Sequence, residues 1–337
     1  MRIRIGRIRD ALHFAGTLSL AKMINYFLIR SSFLLSRISG KAIHRGMPVS
    51  LSVEPTTSCN LRCPECPSGL RQFTRPQGKI RPKLFHNIID QLKGKLIYLL
   101  LYFQGEPMLH PGFVDMVRYA KGNNIYTATS TNGHYLDNED SRKIISSGLD
   151  RLIISLDGTD QETYGKYRIG GDLEKVLAGI RTLVAMRKEM RSTRPYIILQ
   201  FLVFKNNEHQ LPEIKQLARD LKVDKLDIKA AQVYNFEDDR EMIPQNSKYS
   251  RYIKGHDGRW RLKKPLRNSC MRMWSGAVMT WDGKIVPCCF DKDANHQMGD
   301  AGETAFREIW RSRIYKKFRQ QILKDRKQIE ICRNCTE

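Results

Sequence analysis

Val49-Ser50-Leu51-Ser52-Val53-Glu54, and the loop that follows it, Cys59-Asn60-Leu61-Arg62-Cys63-Pro64-Glu65-Cys66, decide how the rest of this chain is read. In the first stretch Val49, Leu51 and Val53 alternate with polar residues, the pattern of a strand with one wetter face. In the second, three cysteines stand in the spacing Cys-x3-Cys-x2-Cys. Three thiolates on one short loop can hold three irons of a cubane and leave the fourth without a protein ligand. A cluster held by four Cys is coordinatively closed, so an open iron is a place for chemistry. The competing reading is a structural zinc site, which usually shows paired Cys or Cys/His knuckles with a fourth ligand close by. The next histidine after the triad is His86, beyond knuckle distance.

The chain has 337 residues, enough for one large domain and a small one. Its eight Cys fall in two groups, three early and five late, with none between Cys66 and Cys270. That grouping reads as metal ligation in a reducing cytoplasm rather than as a secreted disulfide scaffold. The formal net charge of +23 favours anionic partners: nucleic acid, anionic lipid or a phosphorylated substrate. The charge is dense in residues 1–50, from Arg251 to Arg267 and from Arg307 to Arg333. Ala11 to Leu35 is rich in Leu, Ile and Phe, but Lys22 and Arg30 interrupt it, so no window of about eighteen residues is free of charge and a spanning helix is not expected. No small-residue cleavage site follows, which argues against a signal peptide. A basic, apolar helical stretch fits an anchor on a membrane surface. The alternative is a helix or two packed on the folded core.

From residue 49 strand-like runs alternate with amphipathic ones. Strands are expected at Val49–Glu54, Leu96–Phe103, Tyr126–Thr131, Arg151–Leu156, Tyr196–Phe204 and Lys225–Val233. Helices are expected near Pro82–Leu92, Phe113–Asn123, Asn138–Ser147, Leu173–Arg191 and Leu211–Leu221. Near-continuous apolar runs suit parallel strands buried on both faces, and the alternation argues for βα units with right-handed crossovers. The fold expected is α/β: a partial (β/α)6 TIM-like barrel over residues 49–235. A basic helical leader (1–48) precedes it, and a small C-terminal α+β module (236–337) follows. In parallel barrels functional groups sit at the C-terminal ends of strands, and the cysteine triad follows the first strand. Residues 236–268 are polar and weakly periodic, as a linker is. Trp281-Asp282-Gly283 between two apolar runs signals a hairpin. A basic helix is expected from Thr304 to Asp325, ahead of the closing Cys332-Arg333-Asn334-Cys335.

Further polar residues stand at the strand ends. Gln104-Gly105-Glu106-Pro107 follows the second strand, Ser130-Thr131-Asn132-Gly133 the third and Ser155-Leu156-Asp157-Gly158 the fourth. Gly105 permits close backbone approach. Asn132 and Ser155 suit hydrogen bonding to a ribose or a substrate, although Asn-Gly and Asp-Gly are also ordinary turn pairs. Arg168 can form a two-pronged pair with a carboxylate, or be a solvated loop charge. Gln200 interrupts the apolar fifth strand, and a barrel-interior polar group needs a partner.

The triad in this position, with Gly105-Glu106-Pro107 after the second strand, resembles the radical S-adenosylmethionine (SAM) superfamily. The resemblance implies a [4Fe-4S] cluster on Cys59, Cys63 and Cys66 whose open iron chelates SAM. It implies backbone groups at Gly105 and Glu106 that receive the SAM amino group, a contact from Ser155, and SAM contacts from Asn132, Arg168 and Gln200. Two departures stand out: Gln104 replaces a glycine, and Glu65 replaces the aromatic residue usual before the third cysteine. The late cysteines Cys270, Cys288, Cys332 and Cys335, with the Trp281-Asp282-Gly283 hairpin and Pro287-Cys288, resemble the SPASM module or its shorter twitch form. That implies one auxiliary [4Fe-4S] cluster, with zinc as the rival. Ligands for a second auxiliary cluster are not expected after Cys335. Cys289 is left over: it adjoins Cys288 and could replace it as ligand, or be a catalytic hydrogen donor facing the cavity, or a spare buried thiol.

The function implied is that of an enzyme which cleaves SAM reductively to a 5′-deoxyadenosyl radical and takes hydrogen from a peptide, sugar or lipid-linked precursor. Its partners would be an anionic substrate, an external donor such as flavodoxin or ferredoxin, and a membrane surface met by residues 1–45 at the inner face. The alternative is a basic zinc-knuckle protein that binds nucleic acid without catalysis. Aromatic residues are not interleaved with the basic runs as a stacking platform would require, so nucleic acid is not the expected partner.

Overall fold

A computed structural model describes residues 2–234, 236–237 and 241–336, and residues 2–5 by backbone alone. The apolar runs form strands β1 (Ser50–Val53), β2 (Tyr98–Leu100), β3 (Tyr126–Thr131), β4 (Arg151–Ser155), β5 (Tyr196–Val203) and β6 (Lys225–Ala230), paired in that order and all parallel. Two N-terminal helices precede them, α1 (Arg2–Ala15) and α2 (Leu20–Ser39). A short turn α3 (Pro67–Leu70) follows the cysteine loop. The crossovers carry α4 (Pro82–Leu92), α5 (Phe113–Gly122), α6 (Asn138–Ser146), α7 (Gln161–Tyr167), α8 (Leu173–Glu189) and α9 (Leu211–Asp220). Side-chain alternation sorts each strand into two faces. One holds Leu51, Val53, Leu99, Leu152, Ile154, Ile197, Leu199, Phe201 and Val203, all sealed against the helices. Burying each such side chain contributes about 1.5–3 kcal/mol. The other face lines the barrel, with Ser155 and Gln200 side by side at its far end.

The C-terminal segment joins the same sheet. After a hairpin, β7 (Tyr252–Lys254) with β8 (Trp260–Leu262), come α10 (Arg272–Ser275), β9 (Gly276–Met279), β10 (Lys284–Val286) and β11 (Gly299–Asp300). β9 lies parallel to β1, with Leu51 opposite Ala277, and β10 and β11 continue antiparallel. The sheet therefore has nine strands, in the order β11-β10-β9-β1-β2-β3-β4-β5-β6. Three expectations are corrected. The run Leu96–Phe103 is strand only at its centre, Tyr98–Leu100, although Leu96, Leu101 and Phe103 are buried as well and Leu101 N still donates to the Ala128 carbonyl of β3 (2.8 Å). The linker contains the β7–β8 hairpin. The helix expected at Thr304–Asp325 is two, α11 (Phe306–Arg311) and α12 (Arg313–Asp325), because Ser312 leaves the helical conformation to cap the second through Tyr315 N (3.2 Å). The domain boundary expected at residue 235 lies outside the described residues.

Helices α1 and α2 close the N-terminal end of the barrel. Asp10 accepts from the Tyr126 hydroxyl and pairs with Arg151, both at strand starts, and Tyr126 stacks on Tyr98 at 5.3 Å. On α2, Asn25 bonds both backbone groups of Met47 at 2.8 Å, and the Lys22 ammonium donates to the carbonyls of Thr17 (3.1 Å) and Asn124 (2.6 Å). Phe33 packs edge-on against Trp274. Asp10→Ala is expected to destabilise the protein by about 1–3 kcal/mol, since it strands a buried hydroxyl and a guanidinium. Leu12→Ala, on the exposed face of the same helix, should stay within about 0.5 kcal/mol. Denaturant midpoints measure both.

Candidate active site

The cysteine loop is set by backbone contact. Gly105 has φ +73, and a Cβ there would stand 2.3 Å from the Thr56 carbonyl oxygen and 2.8 Å from that of Ser58. Its N–H donates to Ser68 Oγ (2.9 Å), while Glu106 N donates to the Ser58 carbonyl (2.7 Å). On the far side Gly69 of α3 lies against Cys63, whose backbone N a Cβ would approach to 2.5 Å. The loop after β1 is thus clamped between the loop after β2 and the turn that Cys66 opens.

Each sulfur of the triad has its own neighbour. Leu61 N donates to Cys59 Sγ (3.5 Å), with Asn132 Nδ2 at 4.0 Å. Arg168 Nη1 faces Cys63 Sγ (3.8 Å), and Cys66 Sγ faces Gln104 Oε1 (3.8 Å). All are free thiols. Burial pushes the Cys59 thiol up to about 11 and raises Cys63 as well. Thiols that burial keeps protonated become thiolates when metal replaces the proton, so the donor set fits an iron site. Among the described residues no three His, Cys, Asp or Glu side chains meet at a single-ion position. Each iron of a cubane takes a separate thiolate, so its ligands need not converge on one point.

The structure brings Gly105, Glu106, Asn132, Ser155, Arg168 and Gln200 to the same end of the barrel, in arrangements the sequence did not reveal. Glu106 turns inward: its carboxylate accepts from Thr131 Oγ1 (2.8 Å), Asn132 N (2.8 Å) and Met108 N (3.2 Å). Burial outweighs these bonds and raises its pKa to about 7. Its side chain is therefore a brace between β2 and β3. Asn132 Nδ2 donates to Asn60 Oδ1 (2.7 Å), tying β3 to the cysteine loop. Arg168, expected at a carboxylate of SAM, is already paired: Nε donates to Asp157 Oδ2 (2.7 Å), with Nη2 at 2.5 Å from the same oxygen. Asp157, fully buried, also accepts from Leu202 N (2.7 Å). In the sequence it looked like one half of a turn pair. Gln200 Oε1 finds its partner in Lys229 Nζ (2.8 Å).

Cys270, Cys288, Cys289, Cys332 and Cys335 line one small cavity beside α12. Arg326 Nη2 donates to Cys335 Sγ (3.0 Å), and the same guanidinium bonds Cys332. Asn334, inside the terminal knuckle, links Val233 O (2.7 Å) and the Tyr252 hydroxyl (2.9 Å), anchoring that knuckle to the barrel. Cys289 also packs with Phe103, Val278, Val286 and Ala294 at the barrel mouth, and Arg272 Nη1 lies 3.5 Å from its sulfur. Lys292 is half-buried, its ammonium 4.3 Å from the Tyr234 ring and within electrostatic reach of both Cys66 and Cys289. Glu65 accepts from Tyr234 N (2.7 Å). Arg326, Arg272 and Lys292 escaped the sequence reading, because Arg326 is one of many cations in its run and nothing local distinguishes Arg272 or Lys292 from an ordinary surface charge.

Comparison with known proteins decides the identity. Residues 53–225 match the Radical SAM superfamily model, and residues 270–336 match that of SPASM, an iron–sulfur cluster-binding domain. The chain belongs to the radical SAM superfamily. It is 29% identical over 302 residues to the tungsten-containing aldehyde ferredoxin oxidoreductase cofactor-modifying protein of Pyrococcus furiosus, covering 80% of this chain and 82% of that protein. It is 29% identical over 190 residues to the PqqA peptide cyclase of Gluconobacter oxydans, covering 56% of this chain and 51% of the relative, so here it spans about half the relative's length. The crystal structure of Streptococcus suis SuiB bound to S-adenosylmethionine shares the fold, with a TM-score of 0.62, 14% identity and coverage of 86% of this chain and 71% of that one. This radical SAM enzyme therefore takes SAM and a [4Fe-4S] cluster, and its SPASM domain brings auxiliary iron–sulfur chemistry. The nucleic-acid-binding alternative finds no support. Gly105→Ala is expected to displace the cysteine loop, since the new methyl meets backbone rather than a movable side chain. Iron content after anaerobic reconstitution should fall severalfold, with SAM cleavage falling in proportion. Glu65→Gln should leave iron content unchanged.

Proposed function

We propose that Cys59, Cys63 and Cys66 hold the SAM-binding cluster, and that Cys270, Cys288, Cys332 and Cys335 hold one auxiliary [4Fe-4S] cluster. When bound, the first cluster and SAM supply an adenosyl radical that takes hydrogen from an unreactive substrate carbon. The chain's own residues position and shield. The Asp157–Arg168 pair sets a fixed cation beside the Cys63 sulfur, and Asn132 fixes the loop at Cys59. Ser155 and Gln200 remain the polar groups at the floor of the mouth and are the side chains we assign to SAM and substrate, with Gly105 and Glu106 offering only backbone. The observation that carries this reading is that Lys292 feels both Cys66 and Cys289, one from each cysteine group, while Cys289 packs against Phe103 of the loop after β2.

Lys229, Arg272 and Lys292 give that mouth a cationic cast, which supports an anionic substrate. The relatives' names point to peptides or cofactor precursors. An external low-potential donor such as flavodoxin or ferredoxin completes the electron supply. Cys289 is the eighth thiol, outside the seven ligands, and we assign it to the substrate side. Free thiols throughout suit the cytoplasm. Among the described residues no single helix is long and apolar enough to cross a membrane, but residues 1–45 expose enough apolar surface that we place them against the inner face of one.

Reconstituted enzyme should hold about eight irons per chain, two cubanes of four. With SAM and dithionite it should release 5′-deoxyadenosine and methionine. Cys63→Ala should abolish both products. Cys332→Ala with Cys335→Ala should halve the iron yet retain cleavage of SAM. Cys289→Ala should keep the full iron content and SAM cleavage. Stoichiometric zinc with negligible iron in anaerobically prepared protein would overturn the assignment.

A further inference from the structure

Helix α2 is inverted. Its residues turned to the protein are Lys22, Asn25, Ile29, Ser32 and Ser36, four of the five polar. Its solvent side carries Leu20, Met23, Ile24, Phe27, Leu28, Leu34, Leu35 and Ile38, with Leu20 74%, Phe27 63% and Ile38 75% exposed. These positions follow the three-and-four spacing of one helical face. The inward polar groups are satisfied: Lys22 and Asn25 as described, and Ser36 Oγ by the carbonyls of Ser32 and Ile43, each at 2.7 Å. The inversion is therefore a built arrangement and not a packing fault. On α1, which meets α2 at 93°, Ile8 and Leu12 are exposed in the same way. An apolar surface of this extent on a soluble chain marks an interaction site.

The charge around it identifies the occupant. Apart from the inward-facing Lys22, residues 1–50 contain Arg2, Arg4, Arg7, Arg9, Arg30, Arg37, Lys41 and Arg45 against one acidic residue, Asp10, which is buried and paired. A second copy would meet that charge with like charge. An anionic lipid surface meets it with opposite charge and also takes the apolar face, since an interfacial helix combines an apolar face with flanking cations. Beside α1 a cleft of about 800 Å³ brings Arg9, Lys188, Arg191 and Lys222 together. Two carboxylates also line it: Asp224 is paired with Arg187, and Asp220 accepts from Gln216 Nε2 (2.8 Å). That cleft opens at the starts of β5 and β6, the same end of the barrel that α1 and α2 cover.

We propose that α1 and α2 lie in the interface of an anionic phospholipid membrane, with the basic cleft receiving a phosphate head group. The proposal rests on the membrane contact suggested above and adds its lipid class and its orientation. Both helices cover the N-terminal end of the barrel, while the loop of Cys59, Cys63 and Cys66 and the polar residues Ser155 and Gln200 stand at the C-terminal end. The mouth thus faces away from the bilayer, and substrate reaches it from the aqueous side.

The test uses full-length, cluster-loaded enzyme in flotation with vesicles of phosphatidylcholine, alone or mixed with phosphatidylglycerol. Binding to the mixed vesicles should be stronger by about tenfold or more and should weaken as salt rises. Phe27→Ser with Ile38→Ser should lose that binding, and Lys188→Glu with Lys222→Glu should lose the preference for phosphatidylglycerol. SAM cleavage should be unchanged in both variants. Hydrogen exchange on vesicles should slow across residues 20–38 and not across 59–75. No binding to either vesicle, with a dimer that Phe27→Ser and Ile38→Ser dissolve, would give the face to a second copy and overturn the proposal together with the membrane contact. Equal binding to both vesicles, indifferent to the lysine reversals, would refute the anionic head-group site while leaving membrane contact standing. Slowed exchange at 59–75 in place of 20–38 would refute the orientation.

Discussion

The contact between Gly105 and the carbonyls of Thr56 and Ser58 is the constraint on which the site depends. A loop carrying three thiols is useful only if it holds them apart at fixed positions before anything binds. Left to itself, a loop of this length would collapse its apolar sulfurs together or wander. Here the backbone after β2 presses directly beneath it, closer than any side chain would allow, and Glu106 locks that backbone to β3 through Thr131 and Asn132. The brace and the clamp are adjacent residues. This couples the position of the thiols to the parallel register of three strands, so the rigidity of the sheet becomes the rigidity of the site.

The same economy of elements explains why the C-terminal module cannot drift. β9 pairs with β1, the strand that feeds the cysteine loop, and Trp281 N donates to Glu54 (3.2 Å) just beyond it. Glu54 is in turn held by a buried bidentate pair with Arg75, at 2.6 and 2.8 Å. A buried ion pair of this kind adds little net stability. Its geometry, however, fixes the angle between the loop that carries the early cysteines and the hairpin that carries Cys288. One continuous sheet thus ties the position of the late-cysteine hairpin to that of the early-cysteine loop.

Much of this was legible in the sequence because spacing alone carries it. The cysteine triad, the terminal knuckle, the Asp282-Gly283 turn and the alternation of β1 each state a local requirement that no distant residue can alter. The crossover helices α4, α5, α6, α8 and α9 were readable to within a residue or two because their apolar period persists to the end, whereas the short α7 was not expected. What could not be read is everything recruited from afar. Arg326 donates to two sulfurs, Lys292 lies within electrostatic reach of both cysteine groups, and Asp157 holds Arg168, yet in the sequence each is one charge among many. Gln200 was expected to need a partner, but Lys229 could be named only once β5 and β6 lay side by side.

Helix α2 shows why periodicity has a direction that sequence does not supply. Its apolar stripe would suit a helix packed on a core as well as one facing outward. The choice is made by Lys22, Asn25 and Ser36, whose polar groups find backbone partners outside the helix that water could have satisfied equally well, and by Ser32, which donates to the Ile29 carbonyl of its own helix. Hydrogen bonds exchanged for water contribute about 1 kcal/mol each, while burying one leucine-sized side chain contributes about 1.5–3 kcal/mol. A helix free to rotate in water would therefore turn its leucines inward. That it turns them out, with every inward polar group given a partner, means that the favourable burial of the apolar face is reserved for a surface outside the chain.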